Sequence, residues 1–295
     1  MKAQRLPEDD EGEQEEEYAA LLAIFNRFVD SFDNPGAERW GILEDLMRKR
    51  AQIGLAHALR GFDMTIEEAD RLLSDEEELD EEELEKRMIL MAAIGNIAEF
   101  SVAEEHKMIR ELPFLNFDTL ELEVESPEDL EKVSEGVWEN TFKRYNKQYS
   151  NVENKDIEYA MIVALGLSEV ERNTVLTYAT MGDERVRPWH RIYEGYSAPK
   201  YAFPAWLVPP IEHMCRCYLI EESVSASIPD VQAKNWDDMK TPPDWMDPTF
   251  KESVAFGGRI FSDEHPYFEA PVVVKDRLRN LSLKIKEELL NGVNY

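Results

Sequence analysis

Apolar residues recur at helical spacing through the first third of the chain and predict four helices. The first covers residues 18–32 and the second about 38–59. Thr65 and Glu68 have the spacing of a capping box, which predicts the start of a third helix. A fourth, long helix is expected over about 81–110. Its apolar side is predicted to consist of Leu84, Met88, Met91, Ala98 and Val102.

The next part of the chain changes from helical spacing to a strand pattern. Ser126-Pro127, followed by two acids, is a strong helix start, and we expect that helix to run toward Tyr149. Another helix is expected over about 155–165. Residues 174–180 (TVLTYAT) are β-branched or aromatic and predict a strand.

Proline marks the rest of the chain. Five prolines and many aromatic residues between positions 181 and 219 indicate a compact, loop-rich module. Residues 223–274 contain further prolines and predict an extended arm. Residues 275–290 predict an amphipathic helix with a basic side, interpreted as packing on the chain's own acidic body rather than binding a partner.

These patterns divide the chain into four segments. They are an acidic tail (residues 1–17), a helical region (18–125), a small β-containing module (126–222) and an extended arm ending in a helix (223–295). The predicted fold class is α+β and mainly helical. The first segment has eight acids and two bases, so it repels itself and is expected to be flexible.

The net charge of the chain disfavours some classes of binding partner. The chain has 33 Lys and Arg against 62 Asp and Glu, a formal net charge of −29. This argues against nucleic-acid binding through a basic surface and against docking on anionic lipid. It favours basic partners. The acidic run over residues 67–85 is interpreted as a solvated face, or alternatively as a contact for a basic neighbour.

Neither a membrane span nor a secretory signal is expected. The longest apolar run, residues 88–100, is shorter than the roughly 20 residues a span needs. The first 17 residues lack the apolar stretch of a signal peptide. Two cysteines separated by one residue do not form a disulfide framework, which fits a reducing compartment.

The two cysteines and two histidines form the candidate chemical site. Cys215 and Cys217 would point to the same face of a strand. With His190 and His213 they offer the two-His, two-Cys donor set of a structural zinc site. Alternatively, His190 caps the short helix opened by Pro188, and the cysteines are buried as small apolar residues.

Charged residues beside this site are predicted to order the preceding loop. Arg185, Arg187 and Arg216 are expected to bond to Asp183, Glu184 or backbone carbonyls. That structural role is favoured over phosphate binding.

An ordered set of residues in this region resembles the Mu F-like minor head (phage head morphogenesis) family. That family has a strand ending in Thr, an Asp-x-Arg-Val-(Arg/Cys)-Pro run, a His, a Gly, then Pro-Pro, a His and Cys-Arg-Cys. The matching residues are Asp183, Arg185, Val186, Arg187, Pro188, His190, Gly195, Pro209, Pro210, His213, Cys215, Arg216 and Cys217.

The resemblance covers residues 157–222. It implies a non-enzymatic minor head or portal-proximal component of a tailed-phage virion, made in the host cytoplasm. Its implied partners are portal, capsid or connector proteins, and further copies of itself in an oligomer or ring.

Two other classes of function stay open. One is a toxin-like enzyme on the same module that uses zinc or a cysteine nucleophile, which would need a deep pocket containing His or Cys. The other is an acidic DNA mimic or scaffold-like binder. The sequence has no Gly-rich phosphate loop, no HExxH and no Gly-x-Ser-x-Gly.

Overall fold

Helices dominate the computed structural model, and its strands are short and antiparallel. The predicted α+β, mainly helical fold is therefore confirmed. The described residues are 6–7, 10–34, 36–74, 78–134, 136–222, 239 and 241–292.

The elements follow one another along these ranges. The helices are α1 (Glu11–Asp30), α2 (Arg39–Gly61), α3 (Ile66–Leu73), α4 (Glu81–Arg110), α5 (Pro127–Ser134), α6 (Val137–Lys143), α7 (Ser150–Ser168), α8 (Pro188–Arg191) and α9 (Val272–Leu290). The strands are β1 (Leu115–Asn116), β2 (Glu121–Leu122), β3 (Val175–Ala179), β4 (Ser197–Pro199) and β5 (Tyr218–Glu222).

Helix α1 begins within the segment that was expected to be a flexible acidic tail. Asp10 caps it, because the Asp10 carboxylate accepts a hydrogen bond from the Glu13 backbone N–H at 3.0 Å. Acids in the first turn also stabilise the helix, because their negative charge lies near the positive end of the helix dipole. The expectation of a flexible tail is therefore wrong for residues 11–17. Residues 1–5, 8 and 9 lie outside the described residues.

The bounds predicted for α2 and α4 are confirmed to within two residues. The capping box before α3 is also present. The Thr65 N–H donates to Glu68 at 2.8 Å, and the Glu68 N–H donates to the Thr65 hydroxyl at 3.2 Å. Residues 75–77 of the acidic run between α3 and α4 lie outside the described residues.

The apolar side predicted for α4 is only partly buried. Ala98 and Val102 are buried, but Leu84, Met88 and Met91 are 48%, 65% and 40% exposed. Helical spacing identifies the residues that share a face. It does not show which part of that face a neighbour covers, and the first half of the stripe is exposed.

The helix predicted from residue 126 to 149 is interrupted. Gly136 adopts φ +84°, a left-handed conformation that ends α5 and precedes α6. A π-helical turn, Arg144–Tyr149, then leads directly into α7. Helix α7 starts five residues earlier than predicted and continues through Gly166, where the sequence predicted an end.

The strand predicted over residues 174–180 is confirmed as β3, the central strand of a three-stranded sheet. It pairs with β4 on one side and β5 on the other, both antiparallel. Thr177 faces Ser197 of β4 and Ile220 of β5. The loops between these strands contain the candidate site. Strands β1 and β2 form a separate hairpin.

The chain divides into two compact units that differ from the four sequential segments. Each unit collects stretches that are distant in sequence, because long helices and their connections place them together. Unit one is Met1–Pro7, His57–Ala93 and Lys155–Glu264, and unit two is Glu8–Ala56, Ile94–Asn154 and His265–Tyr295.

Unit one contains the three-stranded sheet, and unit two has an aromatic core. In unit two the Phe25 and Phe142 rings stack at 4.3 Å, and Trp138 donates its indole N–H to the Pro113 carbonyl at 2.7 Å. Helix α9 packs in unit two through buried Leu278, and Arg277 lies 3.5 Å over the Trp40 ring. This agrees with the interpretation of α9 as a helix packed on its own chain.

The predicted extended arm is compact in its described part. Residues 241–264 belong to unit one and form short 3₁₀ turns, with Met246, Phe250, Val254 and Phe261 buried. Residues 223–238 and 240 lie outside the described residues.

None of the described helices combines the length and apolar composition that crossing a membrane requires.

Replacing Gly61 by alanine is expected to destabilise unit one by about 1–3 kcal/mol, as overpacking does. A Cβ at Gly61 would overlap the backbone carbonyl of Glu158 on α7, and backbone cannot move aside as a flexible side chain can. Urea denaturation measures the loss. Gly41→Ala in the same helix is the control, since its Cβ would meet only Glu38 side-chain atoms at 3.8 Å. The control should leave stability unchanged or gain up to about 1 kcal/mol. Equal effects of the two substitutions would contradict this close approach.

Candidate metal centre

Three of the four predicted ligands lie together in unit one. His190 is in the short helix α8, and Cys215 and Cys217 precede strand β5. The His190 Nδ1 atom is 3.4 Å from the Cys217 Sγ and 3.8 Å from the Cys215 Sγ. The three residues are 2–4% exposed, and both cysteines are free thiols. Their donor atoms all lie within 4.8 Å of one another.

The His190 ring is oriented by a carboxylate on its other side. The Nε2 atom lies 3.0 Å from an oxygen of Glu212. Glu212 is itself held by the Trp189 indole N–H at 2.9 Å and by Arg187 at 3.2 Å. With Nε2 turned to Glu212, Nδ1 faces the two sulfurs.

The fourth predicted ligand, His213, does not join this cluster. Its Nδ1 atom lies 2.7 Å from one oxygen of Asp156 in α7, and the other oxygen accepts the Met214 N–H at 2.8 Å. The buried carboxylate therefore positions both the His213 ring and the next residue. The predicted site of four donors is corrected to a group of three.

The Asp156–His213 pair favours the charged imidazole. Burial acts to lower the pKa of His213, but the hydrogen bond and charge of Asp156 outweigh it and raise the pKa above its usual value. Burial raises the pKa of Asp156, partly offset by the His213 hydrogen bond. Sequence reasoning missed Asp156. Its signal was an acid directly before the mostly apolar stretch 157–167.

The two thiols differ in their environments. Burial raises the pKa of Cys215 well above its usual value. The pKa of Cys217 is lowered, first by a hydrogen bond from Cys215 and then, against burial, by Tyr178, Arg187 and Arg216. When only one of the two thiols is protonated, the proton is therefore on Cys215.

Two tyrosines lie around the thiols, and neither was predicted as a site residue. The Tyr159 hydroxyl donates to the Cys217 carbonyl. Tyr178 of β3 is fully buried, and burial together with the neighbouring thiols raises its pKa. They come from segments for which the sequence predicted only a helix and a strand.

The loop before α8 is fixed by charged groups. Asp183 makes two hydrogen bonds to the Arg216 guanidinium, at 2.8 and 2.9 Å, and this pairing lowers the pKa of Asp183. The Arg185 backbone N–H donates to Asp183 at 3.0 Å. Arg187 donates to the His213 carbonyl at 2.8 Å. These bonds connect the 183–187 loop to the segment that carries both cysteines.

The chain matches no protein-family model, no curated protein and no solved structure. The Mu F-like resemblance thus rests on the motif residues alone.

The donor distances fit a tetrahedral metal ion. Zinc bonds of about 2.3 Å to sulfur and about 2.0 Å to nitrogen place those donors about 3.6 Å apart in a tetrahedron. The observed nitrogen–sulfur distances of 3.4 and 3.8 Å bracket that value. The Glu212 contact is the outer-shell partner that metal-bound histidines commonly have.

An open cleft in unit one lies apart from this cluster. Its volume is about 760 Å³, and its lining includes Glu82, Glu85, Lys200 and Tyr201. None of His190, Cys215 and Cys217 is among the lining residues.

Proposed function

We propose that this protein is a structural component of a tailed-phage particle. It acts as a minor head or portal-proximal protein in head morphogenesis or head-to-tail connection, and is made in the host cytoplasm. The observation that carries the proposal is that the motif residues bond to one another. Asp183 bonds to Arg216, Arg187 to the His213 carbonyl, and His190 contacts Cys217.

Such bonding gives the motif a structural purpose. The motif residues span about 35 positions, and their bonds hold the loops of this module together beside the three-stranded sheet. A family whose shared residues hold a module together would retain that set while its surfaces adapt to different particle neighbours. This supports assembly as the role of the module.

The burial of the cluster favours this role over the toxin-like enzyme. A thiol nucleophile must meet a substrate and work as a thiolate. His190, Cys215 and Cys217 are all buried, so burial weighs against a nucleophile even for Cys217, whose pKa is lowered.

One structural zinc ion belongs to the same proposal. His190 Nδ1 and the two cysteine sulfurs would hold it, and its bonds would join helix α8 to the segment that precedes β5. Three protein donors are also the number found in catalytic zinc sites, which keep one position for water. The burial of all three donors favours the structural role.

The partners proposed are other proteins of the particle. A net charge of −29 favours neighbours with basic surfaces. Contacts with portal, capsid or connector proteins and with further copies in a ring fit this charge. Specific nucleic-acid binding is not part of the proposal.

The proposal predicts that the chain is a constituent of virus particles. Mass spectrometry of density-purified particles from cells that carry the gene is expected to find it at a fixed copy number. A stop codon early in the gene should abolish infectivity and leave defective heads or unjoined heads and tails. A synonymous codon change at the same position is the control. Fully infectious particles without the chain would overturn the proposal.

A further inference from the structure

Unit two encloses a cluster of charged groups that is separate from the metal centre. Arg50 of α2 lies among Glu104 and Glu105 of α4 and Glu153 of α7, and these residues are 0–3% exposed. The Arg50 Nε atom donates to Glu104 at 2.7 Å, and its Nη2 atom donates to Glu153 at 3.2 Å. One guanidinium therefore serves two carboxyl groups directly.

Two further contacts of the cluster are to neutral amides. Asn154 accepts a hydrogen bond from Arg50 at 2.7 Å, and Asn146 donates one to Glu105 at 3.3 Å. One oxygen of Glu104 and one of Glu105 have no hydrogen-bond partner among the described residues, although both are fully buried. The carboxyl groups therefore have unused acceptors and too few donors.

The charges do not balance if every acid is ionised. Three carboxylates against one guanidinium leave two negative charges among side chains that are almost fully buried. An isolated buried carboxylate costs several kcal/mol, and it takes up a proton rather than remain charged. A bound proton also supplies the missing donor.

We propose that this cluster holds two protons at neutral pH, one on Glu105 and one shared by Glu104 and Glu153. The folded unit then depends on those protons and loses stability as the pH rises. The inference is independent of the proposed role in a phage particle.

The direction of the pKa shifts agrees with this proton count. Burial raises the pKa of Glu105 and of Glu153 well above the usual value, and the Glu104 charge adds to both shifts. Burial also raises the pKa of Glu104, against the attraction of Arg50. Groups this strongly coupled titrate as a set, so the protons belong to the cluster.

The side chains beside the cluster do not balance its negative charge in place of the bound protons. His106 on α4 is neutral near pH 7, because burial lowers its pKa to about 4. Glu17 of α1 adds a further acid through its contact with Asn154. Tyr267 contacts Glu153, and burial raises the pKa of Tyr267, so it is neutral. Further titratable side chains near these groups, among the described residues, include Tyr145, Lys107, Arg110 and His265.

The sign of the pH dependence follows from the raised pKa values. The folded state binds protons that unfolded glutamates, with pKa near 4.3, have already released. The stabilisation from these protons is complete below the unfolded pKa and is lost as the pH rises through the folded values. Each proton released on unfolding raises the unfolding equilibrium constant by up to tenfold per pH unit.

Urea denaturation from pH 6 to pH 9 tests the inference with Glu105→Gln, Glu153→Gln and the double variant. Glutamine has the shape of a protonated glutamate without the proton to lose. The wild type should become easier to unfold with rising pH, and the double variant should lose most of that dependence. Glu287→Gln on the exposed side of α9 is the control and should behave as wild type.

Equal pH dependence of the wild type and the double variant would overturn the inference. If a variant does not fold, infrared spectroscopy of the wild type with ¹³C-labelled glutamate decides. A protonated-carboxyl band at pH 7 that disappears on unfolding is expected. A folded protein without that band at pH 7 also overturns the inference.

Discussion

Replacing Arg50 by methionine is expected to destabilise unit two by about 3–5 kcal/mol at pH 8, the usual loss when one partner of a buried ion pair is removed. Methionine fills much of the same volume but leaves Glu104 and Glu153 without their shared guanidinium, and it leaves Asn154 without its donor. The remaining buried negative charge is then uncompensated. Urea denaturation followed by circular dichroism measures the loss.

Arg48→Met is the matched control, two residues away on the same helix. Arg48 pairs with Glu288 at 2.6 Å and with Asp45 at 3.0 Å, and these side chains are partly exposed. Exposed pairs contribute little, so a loss of less than about 1 kcal/mol is expected.

A second substitution tests whether charge causes the large effect. Adding Glu104→Gln to Arg50→Met removes one of the uncompensated acids, so the double variant should be more stable than Arg50→Met alone. Losses that simply add would contradict the charge-balance explanation.

The helices that could be predicted are those with local start and stop signals. Residues 38–59 and 81–110 have regular apolar spacing and end near Gly61 and Pro113, and the Thr65–Glu68 box acts through its own backbone. No distant residue is needed to set where these helices begin and end. The sequence therefore contained enough information to place the helices within about two residues.

The parts that could not be predicted depend on context. The exposure of Met88 is decided by whether another segment covers it, which spacing does not encode. Gly166 remains inside α7, although an isolated glycine often marks an end. Asp10 turns part of an acidic run into a capped helix, whereas composition alone indicated a tail.

The candidate site, too, could be predicted only in part from local sequence. Cys215 and Cys217 are neighbours in sequence, and the short helix opened by Pro188 brings His190 to them. The choice between His190 and His213 depends on Asp156, which lies 57 residues before His213 in the chain. Such a partner cannot be identified from the motif, so the donor count was predicted as four.

Zinc is expected to stabilise unit one, and the effect should require His190 but not His213. At a free zinc concentration 100 times the dissociation constant, the free energy of unfolding should rise by about 2.7 kcal/mol. Cys215→Ser and His190→Ala remove a donor from the cluster and should abolish the increment. Urea denaturation with zinc and with a chelator measures it.

His213→Ala is the discriminating variant, because its ring bonds to Asp156 and lies outside the group of three donors. It will lower the basal stability by leaving a buried carboxylate without its partner. The zinc-dependent increment should nevertheless persist. Cobalt substitution supplies a second readout, since cobalt bound to thiolates absorbs characteristically in wild type and His213→Ala. Loss of both signals in His213→Ala as well as in His190→Ala would restore the four-donor site expected from the sequence. The absence of any zinc increment in the wild type would reduce the cluster to buried thiols packed against an imidazole.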